Sequence, residues 1–181
     1  MIRPFMVEPS SPELTDQERL VRYRSGDVAS FEALYDRYAH SLLLYARSLI
    51  PNHSVAEDLV QDAFIRLMEY EPSRLEGPAK GLLFATLRNL VMDEHRRTAV
   101  VERARPVLRL RAKDQAPECA SEELAHLLCD LPGEQRETVL LKIYGEMTFD
   151  EIAEVTGTVA PTVMSRYRYA LAKLGQSLKG K

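Results

Sequence analysis

Tryptophan is absent from this chain, and cysteine occurs only twice, at Cys119 and Cys129. Two thiols cannot supply a disulfide framework. A zinc site would need a fourth ligand beside Cys119, Cys129 and His126, and closer pairing than these cysteines offer. They read as two unlinked reduced thiols, and neither metal nor cofactor is expected. A long apolar run is also missing. Met1 to Ser11 carries Pro4 and Pro9 but nothing like a signal-peptide core, and no stretch reaches the length of a membrane span. The expected location is the cytoplasm, without membrane insertion. No glycine-rich phosphate loop, nucleophile elbow or clustered His/Asp/Glu set occurs, so no enzyme is expected. Net positive charge is lacking too: 24 Lys and Arg against 27 Asp and Glu leave a formal charge of −3. That argues against a generic nucleic-acid coat. It leaves room for a DNA binder whose basic residues are segregated on one face.

Helix signals are plentiful, whereas strand alternation and internal repeats do not occur. Thr15 and Glu18 form a capping box, a hydroxyl and a carboxylate each able to satisfy the other's backbone N–H. They open a helix over roughly 16–25, stopped by Gly26. A longer helix is predicted over about 31–50, with Phe31, Leu34, Tyr35, Tyr38, Leu42, Tyr45, Ala46 and Leu49 on its apolar stripe and Pro51 at its end. Ser54 and Glu57 read as another capping box, opening a helix to about Tyr70. Pro72, Gly77 and Pro78 punctuate a loop. The next helix starts near Ala79 and reaches about Ala99 or a little beyond, and Pro106 must end anything helical before it. Arg103, Arg105, Arg109, Arg111 and Lys113, flanked by Pro106 and Pro117 without apolar periodicity, read as a basic tether. Helices over about 122–129 and 135–144 follow. The fold class is all-α: two small helical bundles joined by a flexible linker. The expected division is a loose tail at 1–13, an N-terminal unit at 14–99, a linker at 100–120 and a C-terminal unit at 121–181.

The stretch from Thr148 to Leu174 has the layout of a helix-turn-helix. Thr148 and Glu151 make a capping box, Gly157 supplies the turn, and Pro161 suits the first turn of a second helix. On that helix Val163, Tyr167, Ala170, Leu171 and Leu174 are expected to be buried. Thr162, Ser165, Arg166, Tyr169 and Lys173 fall on another face, where they can donate to phosphates and base edges. No acidic residue occurs from Thr162 to Lys181, which suits a polyanion.

Two further stripes carry opposite charge. On the helix from Val55 to Glu69, with Val55, Leu59, Ala63, Phe64 and Leu67 on the core side, Asp58, Gln61, Asp62 and Ile65 share one face. This is either plain solvated surface or a docking face for a basic protein helix. On the following helix, Lys80, Arg88, Asn89, Arg96 and Arg97 make a basic stripe backed by Leu82, Leu83, Ala85, Leu87, Leu90 and Val91. Asp93 is expected to pair with an arginine one turn on. The stripe is either a solvated face or a track for the phosphates of separated DNA strands, with the Pro/Gly loop receiving an unstacked base.

Taken together, these blocks resemble the extracytoplasmic-function sigma factors, the smallest members of the sigma-70 family. The resemblance covers nearly everything from Thr15 to Leu178. It is carried by F-E-A-L-Y-D-R-Y at 31–38 and A-E-D-L-V-Q-D-A-F-I-R-L at 56–67, by T-L-R-N-L-V-M-D-E-H-R-R at 86–97, and by L-P-G-E-Q-R-E-T-V-L-L-K at 131–142 before the helix-turn-helix. The resemblance implies a promoter-specificity subunit that binds core RNA polymerase through its clamp helices and flap region. Asp58, Gln61, Asp62 and Ile65 would dock on the clamp helices. The 71–80 loop with Lys80, Arg88, Asn89, Arg96 and Arg97 would meet the −10 element. Thr162, Ser165, Arg166, Tyr169 and Lys173 would meet the −35 element, and the linker would run toward the RNA-exit path. An anti-sigma factor is a further candidate partner, since such factors are usually held silent by one.

Three departures from the family pattern stand out. Met164 occupies a position that is often polar or basic. Ala160 precedes Pro161 where a capping Ser or Asn is usual. The basic helix has Phe84 as its only aromatic, so strand capture is expected to rest on the loop and on charge. The alternative reading is a stand-alone helix-turn-helix regulator, which would leave the acidic stripe and the 89–97 helix without a role.

Overall fold

The computed structural model describes residues 14–104, 127–128 and 130–179, and among these every regular element is a helix. The N-terminal bundle comprises α1 (Asp16–Arg24), α2 (Val28–Arg47), α3 (His53–Glu69) and α4 (Ala79–Ala104), with a 3-10 turn at Pro72–Arg74. The C-terminal bundle comprises α5 (Gly133–Tyr144), α6 (Phe149–Thr156) and α7 (Ala160–Lys179). Most of the predicted 122–129 helix and of the linker, with Cys119, His126 and Cys129, lies outside the described residues.

The expected capping box of α1 is formed: Glu18 N–H donates to the Thr15 hydroxyl at 3.2 Å and Thr15 N–H to the Glu18 carboxylate at 2.8 Å. The box expected at Ser54 and Glu57 is not. Asn52 caps α3 instead, its side-chain oxygen accepting from Ser54 N–H at 3.1 Å and Val55 N–H at 3.4 Å. Glu57 is thereby freed to meet Arg47 at 2.7 Å. Leu34, Leu42, Leu59, Ala63, Phe64, Leu67, Leu83, Phe84, Leu87 and Val91 fill the N-terminal core. Val55 is only half-buried; Ala56 and Val60 take the positions facing inward. Helix α4 runs on a little beyond Ala99, to Ala104, with no glycine or proline to interrupt it before Pro106.

A polar pin absent from the sequence reading ties three helices of this bundle together. The Asp16 side chain is only 2% exposed. It accepts from the Tyr38 hydroxyl at 2.6 Å, from Arg37 Nη1 at 2.9 Å and from Ala79 N–H at 2.7 Å. The last bond satisfies one of the orphan donors at the start of α4. Burial, then the Asp16 contact, pushes the Tyr38 phenol up to about 12.

In the C-terminal bundle the Thr148–Glu151 box is formed, with bonds of 3.2 and 2.6 Å. Helix α6 ends at Gly157, whose φ of 65° is left-handed, and Thr158 N–H reaches back to Ala153 O at 2.9 Å. That is the glycine-dependent C-terminal closure. Gly145 has a different reason to be glycine: a Cβ there would stand 2.7 Å from Leu141 O. On α7, Val163 and Ala170 are fully buried while Tyr167 and Leu174 are half-buried. Leu171 is 48% exposed, against expectation. The inward stripe is narrow, and one residue past Ala170 the helix has already turned outward.

The two bundles are in direct contact. Helix α4 packs on α6 and α2 on α5. The buried residues of both form one continuous apolar cluster.

Candidate functional site

The acidic stripe of α3 is presented to solvent. Asp58, Gln61 and Asp62 are all exposed and Ile65 is 51% exposed. Burying Ala56, Leu59, Val60, Ala63 and Phe64 on the inner side of the helix turns these four residues outward together. Beside them runs a shallow groove of about 260 Å³ between α2 and α3, lined by Tyr35, Ala39, His40, Leu43, Glu57, Val60 and Gln61. Tyr35 was assigned to the apolar stripe of α2, yet it is 45% exposed and packs at a tilt against Phe64, ring centroids 4.8 Å apart. It adds apolar surface to the same side as Gln61.

The five residues of the basic stripe divide into two sets. Asn89, Arg96 and Arg97 point outward. Arg96 pairs with Asp93 at 2.9 Å, as expected, and Arg97 lies 3.9 Å from Glu94. Their side chains remain 75% and 78% exposed, so these are loose surface pairs of small energy. Lys80 and Arg88 turn toward the C-terminal bundle. The Arg88 guanidinium donates to Glu137 through Nε at 2.7 Å and Nη2 at 3.4 Å. The Tyr45 hydroxyl donates to the same carboxylate at 3.3 Å. Burial pushes the Tyr45 phenol well above its ordinary value. Lys80 Nζ lies 3.3 Å from the Glu151 carboxylate and donates to Glu146 O at 3.4 Å. Glu146 takes a φ of 48°, the one left-handed non-glycine among the described residues.

The loop before α4 is anchored rather than loose. Arg24 donates to Glu69 O and Tyr70 O, both at 3.0 Å, and Gln17 to Pro72 O at 3.1 Å. Pro72 and Leu75 are buried. Gly77 and Pro78 border a cavity of about 330 Å³ with Thr15, Asp16, Gln17, Arg37 and Tyr38. Phe84 is buried and packs edge-on against Tyr45 at 5.5 Å, so it belongs to the core and offers nothing to a ligand.

On α7, Thr162, Ser165 and Arg166 are half-buried, and Tyr169 and Lys173 are exposed. The Ser165 hydroxyl donates within its helix to Pro161 O at 2.9 Å. Arg166 Nη2 reaches Glu134 at 2.7 Å; the guanidinium side is 24% exposed and the carboxylate side 72%. Lys173 Nζ donates to Asp130 O. Tyr169 is 58% exposed, with the Arg168 guanidinium 5.3 Å over its ring. Met164 is 53% exposed and shares a groove with Phe149, Pro161, Tyr167, Arg168 and Leu171. Arg168 was not among the expected DNA-facing residues, and its exposure and aromatic partner place it beside them.

Among the described residues no group of three His, Cys, Asp or Glu could hold a metal, and no helix is long and apolar enough to cross a membrane.

The model of Sigma-70 region 2 matches residues 34–100 and that of Sigma-70, region 4 matches residues 121–174. The chain is similar to the ECF RNA polymerase sigma factor SigL of Mycobacterium tuberculosis, 29% identical over 167 residues, covering 86% of this chain and 92% of the relative. It is 30% identical to the RNA polymerase sigma-E factor of Streptomyces avermitilis over 163 residues, covering 86% and 89% of the two chains. Among solved structures, CnrH in complex with the cytosolic domain of CnrY superposes with a TM-score of 0.67 at 26% identity, covering 92% of this chain and 98% of that one. The sigma factor RpoE from Bartonella quintana, in complex with the anti-sigma factor NepR, shares the fold with a TM-score of 0.65 at 23% identity, covering 87% and 97%.

Proposed function

This chain belongs to the extracytoplasmic-function group of the sigma-70 family, an RNA polymerase sigma factor, and from that premise we propose how its surfaces divide the work. Asp58, Gln61, Asp62 and Ile65 on α3 form the contact with core polymerase. Asn89, Arg96 and Arg97 on α4, with Lys80, Arg88 and the 71–80 loop, engage the −10 element. Thr162, Ser165, Arg166, Tyr169 and Lys173 on α7, joined by Arg168, engage the −35 element. The N-terminal unit then corresponds to the bundle of α1–α4 and the C-terminal unit to that of α5–α7. The factor works in the cytoplasm and has no active site of its own.

The observation that carries this reading is the state of the α3 stripe. Its three polar residues are exposed, and among the described residues no hydrogen bond or ion pair engages them. A carboxylate pair flanked by an exposed isoleucine, on a rigid helix, is the pattern of a protein-docking face. A stand-alone regulator would have no use for it. The test is a pull-down of core polymerase with Asp58→Lys/Asp62→Lys. Association should be lost while the circular dichroism spectrum is retained, and a variant that still co-purifies with core would disprove the docking face.

CnrH was solved in complex with the cytosolic domain of CnrY, and the Bartonella RpoE in complex with the anti-sigma factor NepR. We propose a protein partner for this chain as well, an anti-sigma factor, on the strength of the family and of the bound chain in the CnrH structure.

A further inference from the structure

Met164 is 53% exposed in the first turns of α7, yet it carries no group that can donate to a phosphate. We propose that Met164 is a specificity-determining residue. Its side chain packs on the C5-methyl of a thymine in the major groove, so that this factor requires a T·A pair at one position of its −35 element. The proposal rests on the assignment of α7 to the −35 element made above.

The core does not account for Met164. Val163 and Ala170 are fully buried and Tyr167 half-buried on the inner side of α7, and the bundle closes without the residue after Val163. Met164 instead borders a groove of about 490 Å³ shared with Phe149, Pro161, Arg168 and Leu171. An unbranched thioether adapts to an apolar surface more readily than a β-branched side chain does. In a helix-turn-helix the first turns of the second helix meet the base edges. Leu171 is 48% exposed on the same groove but lies seven residues later, about 10 Å further along the axis. Met164 is therefore the apolar side chain placed for readout.

The surroundings favour DNA over a protein as the occupant. Ser165 and Arg166 follow directly, and Arg168 is one turn on, its guanidinium 5.3 Å over the Tyr169 ring. No acidic residue occurs from Thr162 to Lys181. A cationic border of this kind attracts a polyanion. Among the DNA bases only thymine bears a methyl group in the major groove; cytosine shows its N4 amino donor there. Met164 gains apolar burial against the methyl group. Against cytosine it would strip water from a donor without offering a strong acceptor in return.

The test uses holoenzyme reconstituted from core polymerase and the full chain. A −35 sequence is first recovered from promoter duplexes randomised over that element. Each of its thymines is then replaced in turn by deoxyuridine, which lacks only the methyl group, and binding is read by competition. Wild-type holoenzyme should lose about four-fold in affinity at one thymine. Met164→Ala should bind thymine and deoxyuridine equally there, and Met164→Leu, which restores apolar bulk, should recover the sensitivity.

If no thymine is sensitive in the wild type, or if Met164→Ala keeps the wild-type sensitivity, the proposal is overturned. Arg166→Ala separates that failure from a failure of the wider assignment. Where Arg166→Ala still alters −35 binding, α7 is the reading helix and only Met164 is misassigned. Where neither Arg166→Ala nor Met164→Ala has any effect, α7 does not read the −35 element and both readings fall. Loss of core-polymerase association by Met164→Ala, with base preference unchanged, would also overturn the proposal and give the groove to a protein.

Discussion

Helices α3 and α4 are neighbours in one bundle, and each carries a charged stripe, yet the two stripes are in opposite states. Asp58 and Asp62 of α3 are exposed and make no ion pair among the described residues, whereas the bases nearest the start of α4 are held by the chain's own carboxylates. Charge patterning identified both stripes, but it could not show which was available. Under the roles proposed above, the surface for protein is presented to solvent and the surface for DNA is partly withheld. The difference also places the withheld residues at the seam between bundles, where a change of domain arrangement has the greatest effect on them.

The sharpest way to break the comparison is Asp58→Lys/Asp62→Lys. Placing like charges across a protein interface costs several kcal/mol, so association with core polymerase should fall by orders of magnitude. Thermal stability should stay within about 0.5 kcal/mol, as for other exposed surface changes. A large loss of stability would mean that the stripe is not free. The next test sets two arginines of α4 against each other. Arg88→Ala leaves Glu137 enclosed with only the Tyr45 hydroxyl, and should destabilise the fold by about 2 kcal/mol in denaturant unfolding. Arg96→Ala removes a pair whose members are 75% and 55% exposed, and should change stability by about 0.5 kcal/mol or less. Equal effects would erase the distinction between held and open bases.

The local elements were legible because their signals are local. Thr15 with Glu18 and Thr148 with Glu151 each lie within one turn, and Gly157 needs only its own φ to stop α6. Capping at α3 was misread because Asn52 competes with Ser54 for the same role, and the winner depends on whether Glu57 is drawn to Arg47. Leu171 was misread because periodicity gives the direction of a stripe and not its width. The buried polar pairings that were missed are long-range. Asp16 acts on Tyr38 and Ala79, and Glu137 on Tyr45 and Arg88; nothing near Glu137 in the chain distinguishes it from a solvated glutamate. Such pairings depend on how helices pack on one another, within a bundle at Asp16 and between bundles at Glu137, which patterning of single helices does not encode.

A third test moves to α7. Arg166, proposed above to meet the −35 element, is paired with Glu134, whose side chain is 72% exposed. That pair is weak, so Arg166→Ala should cost little stability. If the guanidinium makes a bidentate contact with a base, binding to a −35 duplex should weaken by about 1–3 kcal/mol, with relaxed preference at a single position. Equal weakening on every sequence would demote it to a phosphate contact.

The smallest expected effect separates the two capping boxes. The carboxyls of Glu18 and Glu151 are both held below the ordinary glutamate range, in each case chiefly by the backbone N–H of the capping threonine. Partial burial opposes this at Glu151, and the Lys80 ammonium adds to the lowering. For a depressed carboxyl the stabilisation is fully present above the ordinary value of about 4.3 and is lost as pH falls through the lowered one. Both helix starts should therefore loosen only in acid below that range, as followed by the carboxyl carbon shifts of the two side chains in NMR titration. Lys80→Ala should raise the Glu151 midpoint slightly and leave that of Glu18 where it was, since only Glu151 faces a cation from the other bundle. If both midpoints move together, or neither moves, the Lys80–Glu151 contact does not persist in solution, and the withheld state of the α4 bases would rest on Arg88 and Glu137 alone.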